Sequence, residues 1–267
     1  MRLALSHSPL RAFAAALCLG LPATTLAADP QFFFAAGPEQ YRWSEYDTAG
    51  NRLLQESGLR YRFAFRYEKE WRGLVFGGGA EQYTGTVDYD GQTQGGTKAT
   101  TDVEYRGFRG EGRLGYLWGG PELSLGLLGM YGAEFWSRQL QDGRTASGQR
   151  VLGYTERYGM SYVTLGPALQ THGAAWSSRI HAAVRKPLSV AETVDDFAAV
   201  LKPKPKPGMF FTWENRWRIG ERWHVGVTAY AETLHFAASD PAASTLGAVV
   251  QPESRARTAG VRFETAF

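Results

Sequence analysis

Apolar and polar side chains alternate along most of the chain beyond residue 28. The clearest stretch covers 58–70, where the odd positions from 59 to 67 are leucine, tyrosine or phenylalanine and most of the even positions are charged. Successive side chains of a β-strand point to opposite faces. The alternation therefore predicts strands that have one apolar face and one charged face.

Segments of this kind recur along the whole chain. We predict ten strands, near 32–44, 58–70, 74–88, 101–117, 122–138, 151–171, 176–187, 208–219, 223–236 and 255–267. Short connections at 70–73, 118–121, 172–175 and 220–222 alternate with longer polar ones around 45–57, 89–100, 139–150, 188–207 and 237–254. Both features are typical of membrane barrels. We expect an all-β fold, a transmembrane up-and-down antiparallel β-barrel.

Ten strands is the preferred number, and eight or twelve remain possible because the first and sixth strands have weak boundaries. A secreted, soluble β-sandwich is the competing interpretation. It explains neither the regular alternation of short and long connections nor the aromatic end of the chain, described below.

Two stretches depart from simple alternation. The parity of the apolar residues changes between Tyr105 and Phe108, so we expect a β-bulge there. The connection at 189–208 has apolar residues at helical spacing, which predicts a short helix capped by Thr193. The Lys-Pro repeat at 202–207 is interpreted either as a stiff spacer or as a contact for lipopolysaccharide phosphates.

Tryptophan occurs in or beside each predicted short connection, as Trp71, Trp118, Trp176 and Trp223. Indole rings favour the interface between membrane and water. We therefore predict an aromatic girdle at the periplasmic rim. Trp43, Tyr46 and Trp136 are candidates for the outer rim.

The strand positions that carry the charged residues define the predicted interior of the barrel. On this phasing the interior holds a charged cluster, with His181 and His224 nearby: Arg60, Arg62, Arg66, Glu68, Arg109, Glu111, Arg113, Glu134, Arg179, Arg185, Glu214, Arg216, Arg218, Glu232, Arg262 and Glu264. Arginine can bind carboxylates bidentately in a confined space. Two interpretations stay open: a cross-linked polar core that fills the lumen, or a narrow passage whose modest excess of arginine favours anionic solutes.

The two ends of the chain carry targeting features. Residues 1–27 combine Arg2 and Arg11, an apolar stretch and a small-residue cleavage site, which predicts a cleaved signal peptide before a barrel at 28–267. The chain ends in Phe267, and the alternation that leads to it resembles the C-terminal signature of Gram-negative outer-membrane β-barrels. This resemblance implies an integral outer-membrane protein whose last residue is read by the barrel-assembly machinery of that family.

Composition excludes several classes of function. The net charge of +3 falls to about +1 without the signal peptide, which gives no support for binding nucleic acid. The single cysteine, Cys18, lies in the signal peptide, so the mature chain has no disulfide or cysteine-based metal site. We expect no cofactor and no metal.

Candidate catalytic motifs are incomplete. Asp88 and Asp90 resemble the first acidic pair of the omptin proteases, which are ten-stranded barrels, but Asp195 and Asp196 are not followed by the histidine of the second pair. The lipid A deacylase barrels use a His-x-Ser arrangement, and His235 lacks that serine. The omptin resemblance thus implies architecture and not proteolysis.

The leading functional hypothesis is a non-catalytic outer-membrane barrel whose outer loops serve envelope integrity or the binding of a surface partner. Its expected surroundings are outer-membrane lipid and lipopolysaccharide, and any extracellular or periplasmic protein partner is unknown. The alternative is a small porin-like diffusion channel with a weak anion preference. An outer-membrane hydrolase ranks behind both.

Overall fold

The structure is a computed structural model that describes residues 31–93, 96–120, 122–221, 223–245 and 247–267. The predicted signal peptide at 1–27 lies outside these residues, as do Pro121 and Arg222 of two predicted short connections. Ten long strands follow one another: β1 (Gln31–Tyr46), β2 (Arg52–Trp71), β3 (Leu74–Gln92), β4 (Lys98–Gly119), β5 (Leu123–Leu140), β6 (Thr155–His172), β7 (Trp176–Val194), β8 (Gly208–Arg218), β9 (His224–Ala237) and β10 (Glu253–Ala266).

Each long strand pairs antiparallel with its neighbours in sequence, and β1 also pairs with β10. The sheet is therefore closed and its ten long strands leave no free edge. The predicted all-β, ten-stranded antiparallel barrel is confirmed. Among the described residues, no helix is long and apolar enough to cross a membrane.

The connections divide the barrel into two ends. Strand β1 begins and β10 ends at the same end of the barrel, which we call the turn end. This end also carries the connections at 72–73, 120–122, 173–175 and 219–223. Arg72 and Gly73 adopt φ angles of 50° and 81°, as the tight two-residue hairpin between β2 and β3 requires. The opposite, loop end carries the connections at 47–51, 93–97, 141–154, 195–207 and 238–252.

Several strands extend further towards the loop end than predicted. Strand β2 begins at Arg52, and β3 continues to Gln92 before β4 begins at Lys98, so the connections at 47–51 and 93–97 are short and the predicted long loops there are wrong. Strand β7 likewise continues to Val194. The polar composition of these extensions predicts loops. In a barrel wall, however, polar residues form the same backbone hydrogen bonds between strands as apolar residues do.

Two predicted irregularities are absent. Strand β4 pairs continuously with β3 and β5 through Tyr105 and Phe108, so the predicted bulge is wrong. Tyr105 is an interior side chain whose hydroxyl donates to Glu56. The predicted helix near Thr193 is also wrong: Ala199–Leu201 pairs with the end of β7, and only Asp195–Phe197 forms a single 3-10 turn.

The Lys-Pro repeat is partly extended and paired. Lys204–Lys206 lies antiparallel to the end of β9, Lys204 forms an ion pair of 2.7 Å with Asp240, and Lys206 approaches Glu253 at 3.8 Å. The segment is therefore anchored to the barrel wall. At 141–154 the exposed Asp142 accepts the backbone N–H of Gly153 and the guanidinium of Arg150, which together lower its pKa.

The outer surface of the barrel carries an apolar band. Exposed aromatic and aliphatic side chains recur at alternate positions of the strands, among them Phe63, Phe65, Leu127 and Phe263. Trp71, Trp118, Trp176 and Trp223 are exposed near the turn end, and Phe267 packs its ring against Trp223, Phe32 and Phe34. Trp43 and Trp136 are buried inside the barrel, so their assignment to the outer rim is wrong.

Candidate functional site: a layered charged interior

Inward-facing side chains fill the barrel with charged and aromatic groups. All members of the charged cluster proposed from the sequence are buried or partly buried in this interior, with one exception. The exception is Arg218, which is exposed at the turn end and donates to the carbonyl oxygen of Ala174 at 2.8 Å. His181 is buried, and His224 is half-buried near the turn end.

A central network crosses the middle of the barrel. Glu232 on β9 accepts hydrogen bonds from Arg62 at 3.1 Å, Arg109 at 2.9 Å and Arg185 at 2.5 Å, so it joins β2, β4 and β7 through the lumen. The network contains five arginines and five glutamates: Arg60, Arg62, Arg109, Arg185 and Arg262 with Glu39, Glu81, Glu111, Glu134 and Glu232.

Tyrosines complete the central network. The hydroxyl of Tyr83 donates to Glu134 at 2.8 Å and that of Tyr230 donates to Glu39 at 2.8 Å. The guanidinium of Arg60 lies 3.6 Å from the centre of the Tyr41 ring. Charged hydrogen bonds and cation–π contacts stabilise the buried guanidinium groups and offset the cost of removing them from water, although Nε of Arg262 has no hydrogen-bond partner among the described residues.

A turn-end network lies between the central network and the turn end. It contains four arginines and three glutamates: Arg66, Arg113, Arg179 and Arg216 with Glu68, Glu214 and Glu264. Glu68 accepts from Arg113 at 2.9 Å and from Arg179 at 2.6 Å. Every carboxylate of these two networks has at least one arginine partner.

A third group, the loop-end cluster, differs in composition. It contains one arginine and four glutamates: Arg138 with Glu45, Glu56, Glu156 and Glu192. Arg138 pairs with Glu56, lies 2.5 Å from Glu156 and 3.4 Å from Glu45. Glu192 is buried, and neither of its carboxylate oxygens has a hydrogen-bond partner among the described residues.

The charged cluster predicted from the sequence lacks half of the glutamates in these three interior groups. It omitted seven interior residues: Glu39, Glu45, Glu56, Glu81, Arg138, Glu156 and Glu192. The three groups together hold twelve carboxylates and ten guanidinium groups, so the surplus is anionic, opposite to the arginine excess expected from the sequence. Extending the parity of 58–70 backwards would have placed Glu56 inside.

Glu192 could not be found by parity. Strand β7 pairs with β6 as Tyr162 with Pro187 and Ser161 with Ser189, so Leu188 is an extra residue in the ladder. A β-bulge of this kind reverses which side chains point inward. Arg185 faces the interior at an odd position, whereas beyond the bulge Glu192 faces it at an even one.

Cavities flank the central network. At the loop end a cavity of about 280 Å³ is lined by Glu45, Glu156 and Glu192, and at the turn end one of about 250 Å³ is lined by Arg179 and Arg216 among others. Within the central region the cavities are about 50 Å³ and 20 Å³. The spaces in the middle are thus much smaller than those at the two ends.

The candidate catalytic residues do not converge. Asp88 and Asp90 are exposed on the outside of β3, and Asp90 lies 3.7 Å from Arg52. Asp195 pairs with Arg157 at 2.8 Å. In the part of the chain that the structure covers, no group of three or more histidine, cysteine, aspartate or glutamate side chains is arranged to hold a metal ion.

His235 is the histidine at the outer rim. Its Nε2 lies 3.1 Å from Oε1 of Glu253, and Glu253 also accepts from Arg255 at 2.6 Å. The pair therefore has a carboxylate and a histidine, with no serine, threonine or tyrosine hydroxyl hydrogen-bonded to the histidine among the described residues.

No protein-family model matches the chain, and no curated protein matches it. Among solved structures, the outer membrane protease OmpT from Escherichia coli is similar with a TM-score of 0.53 and 12% identity, covering 88% of this chain and 96% of that one. An outer-membrane channel from Pseudomonas putida F1 has a TM-score of 0.41 and 8% identity, covering 92% and 98%.

The translocator domain of the autotransporter NalP from Neisseria meningitidis has a TM-score of 0.37 and 10% identity, covering 88% of each chain. Identities this low bear on the fold alone. The closed order of ten antiparallel strands and the likeness to OmpT agree on that fold. The chain has the architecture of an omptin-sized outer-membrane β-barrel.

Proposed function

We propose that this protein is a non-catalytic barrel of the Gram-negative outer membrane whose lumen is closed and whose loop end carries its function. The observation that carries the proposal is the central network, in which Glu232 joins three strands through bonds of 2.5–3.1 Å to Arg62, Arg109 and Arg185. Small barrels have little room left once side chains enter the lumen. Ions therefore meet a cross-linked core and not an aqueous pore.

The location in the outer membrane rests on the surface of the barrel. The apolar band, the exposed tryptophans near the turn end and the aromatic C-terminus together match what a bilayer requires of a spanning barrel. With the turn end towards the periplasm, the loop-end cluster lies on the extracellular side. Phe267 contributes to the band through its contacts with Phe32 and Trp223.

Planar-bilayer recording tests the closed lumen. The purified wild-type protein should give no discrete conductance steps. The double variant Arg109→Ser, Glu232→Ser removes two members of the central network together and should open a measurable conductance. Glu253→Gln, at the outer rim, is the matched control and should stay silent. Each variant is first checked for the retained gel mobility of a folded barrel in unheated samples.

A conducting wild-type protein would contradict the proposal and favour the alternative, a small diffusion channel. In that case the anionic surplus of the interior predicts cation preference, whereas the arginine excess expected from the sequence predicted anion preference. Arg216→Glu would distinguish the two, because an anion preference that depends on arginine would be lost in this variant.

We further propose that lipopolysaccharide phosphates bind outward-facing arginines at the edge of the apolar band. Arg42 on β1 and Arg257 on β10 are exposed and directly opposite each other in the ladder. Neither forms an ion pair with another described residue, whereas Arg106 and Arg157, also exposed, are paired. Like charges placed opposite each other are unfavourable, and an anionic lipid headgroup relieves the repulsion.

Binding of purified lipopolysaccharide tests this contact. The double variant Arg42→Ser, Arg257→Ser should bind several-fold more weakly than wild type at low salt, and raising the salt should reduce the difference by screening. Arg106→Ser is the control, because its guanidinium is already paired with Glu104 at 2.5 Å. Equal binding by the two variants would refute the assignment.

No catalytic role is proposed. OmpT is an outer membrane protease, but the acidic residues that resemble its family's motif point away from the lumen in this chain. His235 contacts Glu253, and no hydroxyl group of the described residues is hydrogen-bonded to it. Incubation with lipid and peptide substrates should therefore release no product, and product release that is lost in His235→Ala would overturn this part of the proposal.

A further inference from the structure

The loop-end cluster holds more carboxyl groups than its single arginine can pair with. Arg138 reaches Glu45, Glu56 and Glu156, and a single guanidinium cannot compensate three carboxylates. Glu192 adds a fourth. In the central network, by contrast, the numbers of arginines and glutamates are equal.

Glu192 is the unpartnered member. It is 1% exposed, and both of its carboxylate oxygens lack hydrogen-bond partners in the described chain. Tyr158 is its direct neighbour in the ladder, but the Tyr158 hydroxyl donates to Glu156 at 2.9 Å. A buried carboxylate without a partner is costly. A cation bound beside it would stabilise its ionised form.

The space for that cation is the loop-end cavity. It has a volume of about 280 Å³, close to the lower end of the roughly 300–1,000 Å³ typical of small-molecule sites. Glu45, Glu156 and Glu192 line it together with aliphatic side chains such as Leu54 and Leu201. No lysine, arginine or histidine of the described residues is among its lining side chains.

We propose that this cavity binds a small aliphatic cation. An ammonium or guanidinium group lies among Glu45, Glu156 and Glu192, and its alkyl stem packs against the aliphatic wall. Charge-assisted hydrogen bonds supply the recognition, and the ring of Tyr89, which also lines the cavity, adds a cation–π contact. The inference rests on the proposed function, because it names the ligand class of the loop end of a closed barrel.

The same chemistry is available from a free amine and from the basic side chain of a peptide. Isothermal titration calorimetry on the full mature chain in detergent micelles, in a buffer without amines, distinguishes these sources. One arm uses agmatine, which carries an ammonium and a guanidinium group on a short alkyl chain. A second arm uses trilysine. 1,4-Butanediol serves as the uncharged probe of similar length.

Saturable binding at one site is expected for at least one cationic probe. Glu192→Gln keeps the size of the side chain and removes its charge, so it should weaken that binding about ten-fold or more. Glu253→Gln removes a carboxylate that lies outside the cavity and should bind like wild type. Binding of agmatine identifies a free amine as sufficient, and binding of trilysine alone identifies a peptide source.

Three results would overturn the inference: no saturable binding of either cation, equal affinity of Glu192→Gln and wild type, or butanediol binding as well as agmatine does. Unheated gel mobility and circular dichroism verify that both variants are folded. The bilayer recordings remain a separate test. A silent barrel that binds no cation overturns only this site, whereas a conducting barrel that binds agmatine overturns only the closed lumen.

Discussion

The central network and the loop-end cluster use the same residue types in opposite ways. In the central network each glutamate has an arginine partner, and tyrosine hydroxyls donate further hydrogen bonds to the carboxylates. In the loop-end cluster one arginine faces four glutamates beside a cavity, and Glu192 is unpartnered. Equal numbers of arginines and glutamates form a core that connects the strands of the barrel through the lumen. An unequal number beside empty space is typical of a binding site.

The largest effect is expected when the balance of the central network is broken. Arg109→Met removes the partner that lies 2.9 Å from both Glu134 and Glu232. Removing one side of a buried ion pair leaves uncompensated charge and costs about 3–5 kcal/mol. Urea unfolding followed by tryptophan fluorescence measures this loss in the free energy of unfolding.

Arg106→Met is the control for that experiment. Arg106 lies on the same strand, faces outward and has a side chain 72% exposed in its pair with Glu104. Exposed pairs contribute roughly 0–1 kcal/mol. Equal losses in the two variants would show that the interior network adds nothing to stability beyond an ordinary surface pair.

A somewhat smaller effect is expected on the outer face of the same wall. Phe63→Arg places a charge in the apolar band, where Phe63 is 54% exposed. In a bilayer this costs about 2–4 kcal/mol near the midplane. Thr86→Arg, at an exposed position in the part of β3 nearer the loop end, should cost less than about 1 kcal/mol. Equal costs in lipid vesicles would contradict the position of the membrane on the barrel.

The alternation of side chains predicted the fold because a closed barrel leaves nearly every strand residue with only two possible environments. The parity of 58–70 placed Arg60, Arg62 and Arg66 inside and Phe63 outside, as the structure has them. Tyr105, Trp43 and Trp136 were misjudged, since aromatic rings also pack inside this barrel against arginine and tyrosine.

The candidate site was harder to predict than the fold. Glu56 lies in a polar stretch whose composition predicts a loop, and Glu192 follows the bulge at Leu188, which reverses the parity of β7. Local patterns do not reveal such a bulge, because it depends on the register between two strands. The four glutamates of the loop-end cluster lie on four different strands and Arg138 lies on a fifth, so the grouping depends on closure of the barrel.

The same substitution, glutamate to glutamine, should have opposite effects on stability in the two regions. Urea unfolding of Glu134→Gln and Glu192→Gln is compared with wild type at neutral pH in an amine-free buffer. Glu134→Gln should lower the free energy of unfolding by about 1–3 kcal/mol, because Glu134 accepts from Tyr83 and Arg109. Glu192→Gln should raise it by roughly 1 kcal/mol, because it removes an unpartnered buried carboxylate. A loss of stability in both variants would contradict the distinction between a balanced core and an unbalanced loop end.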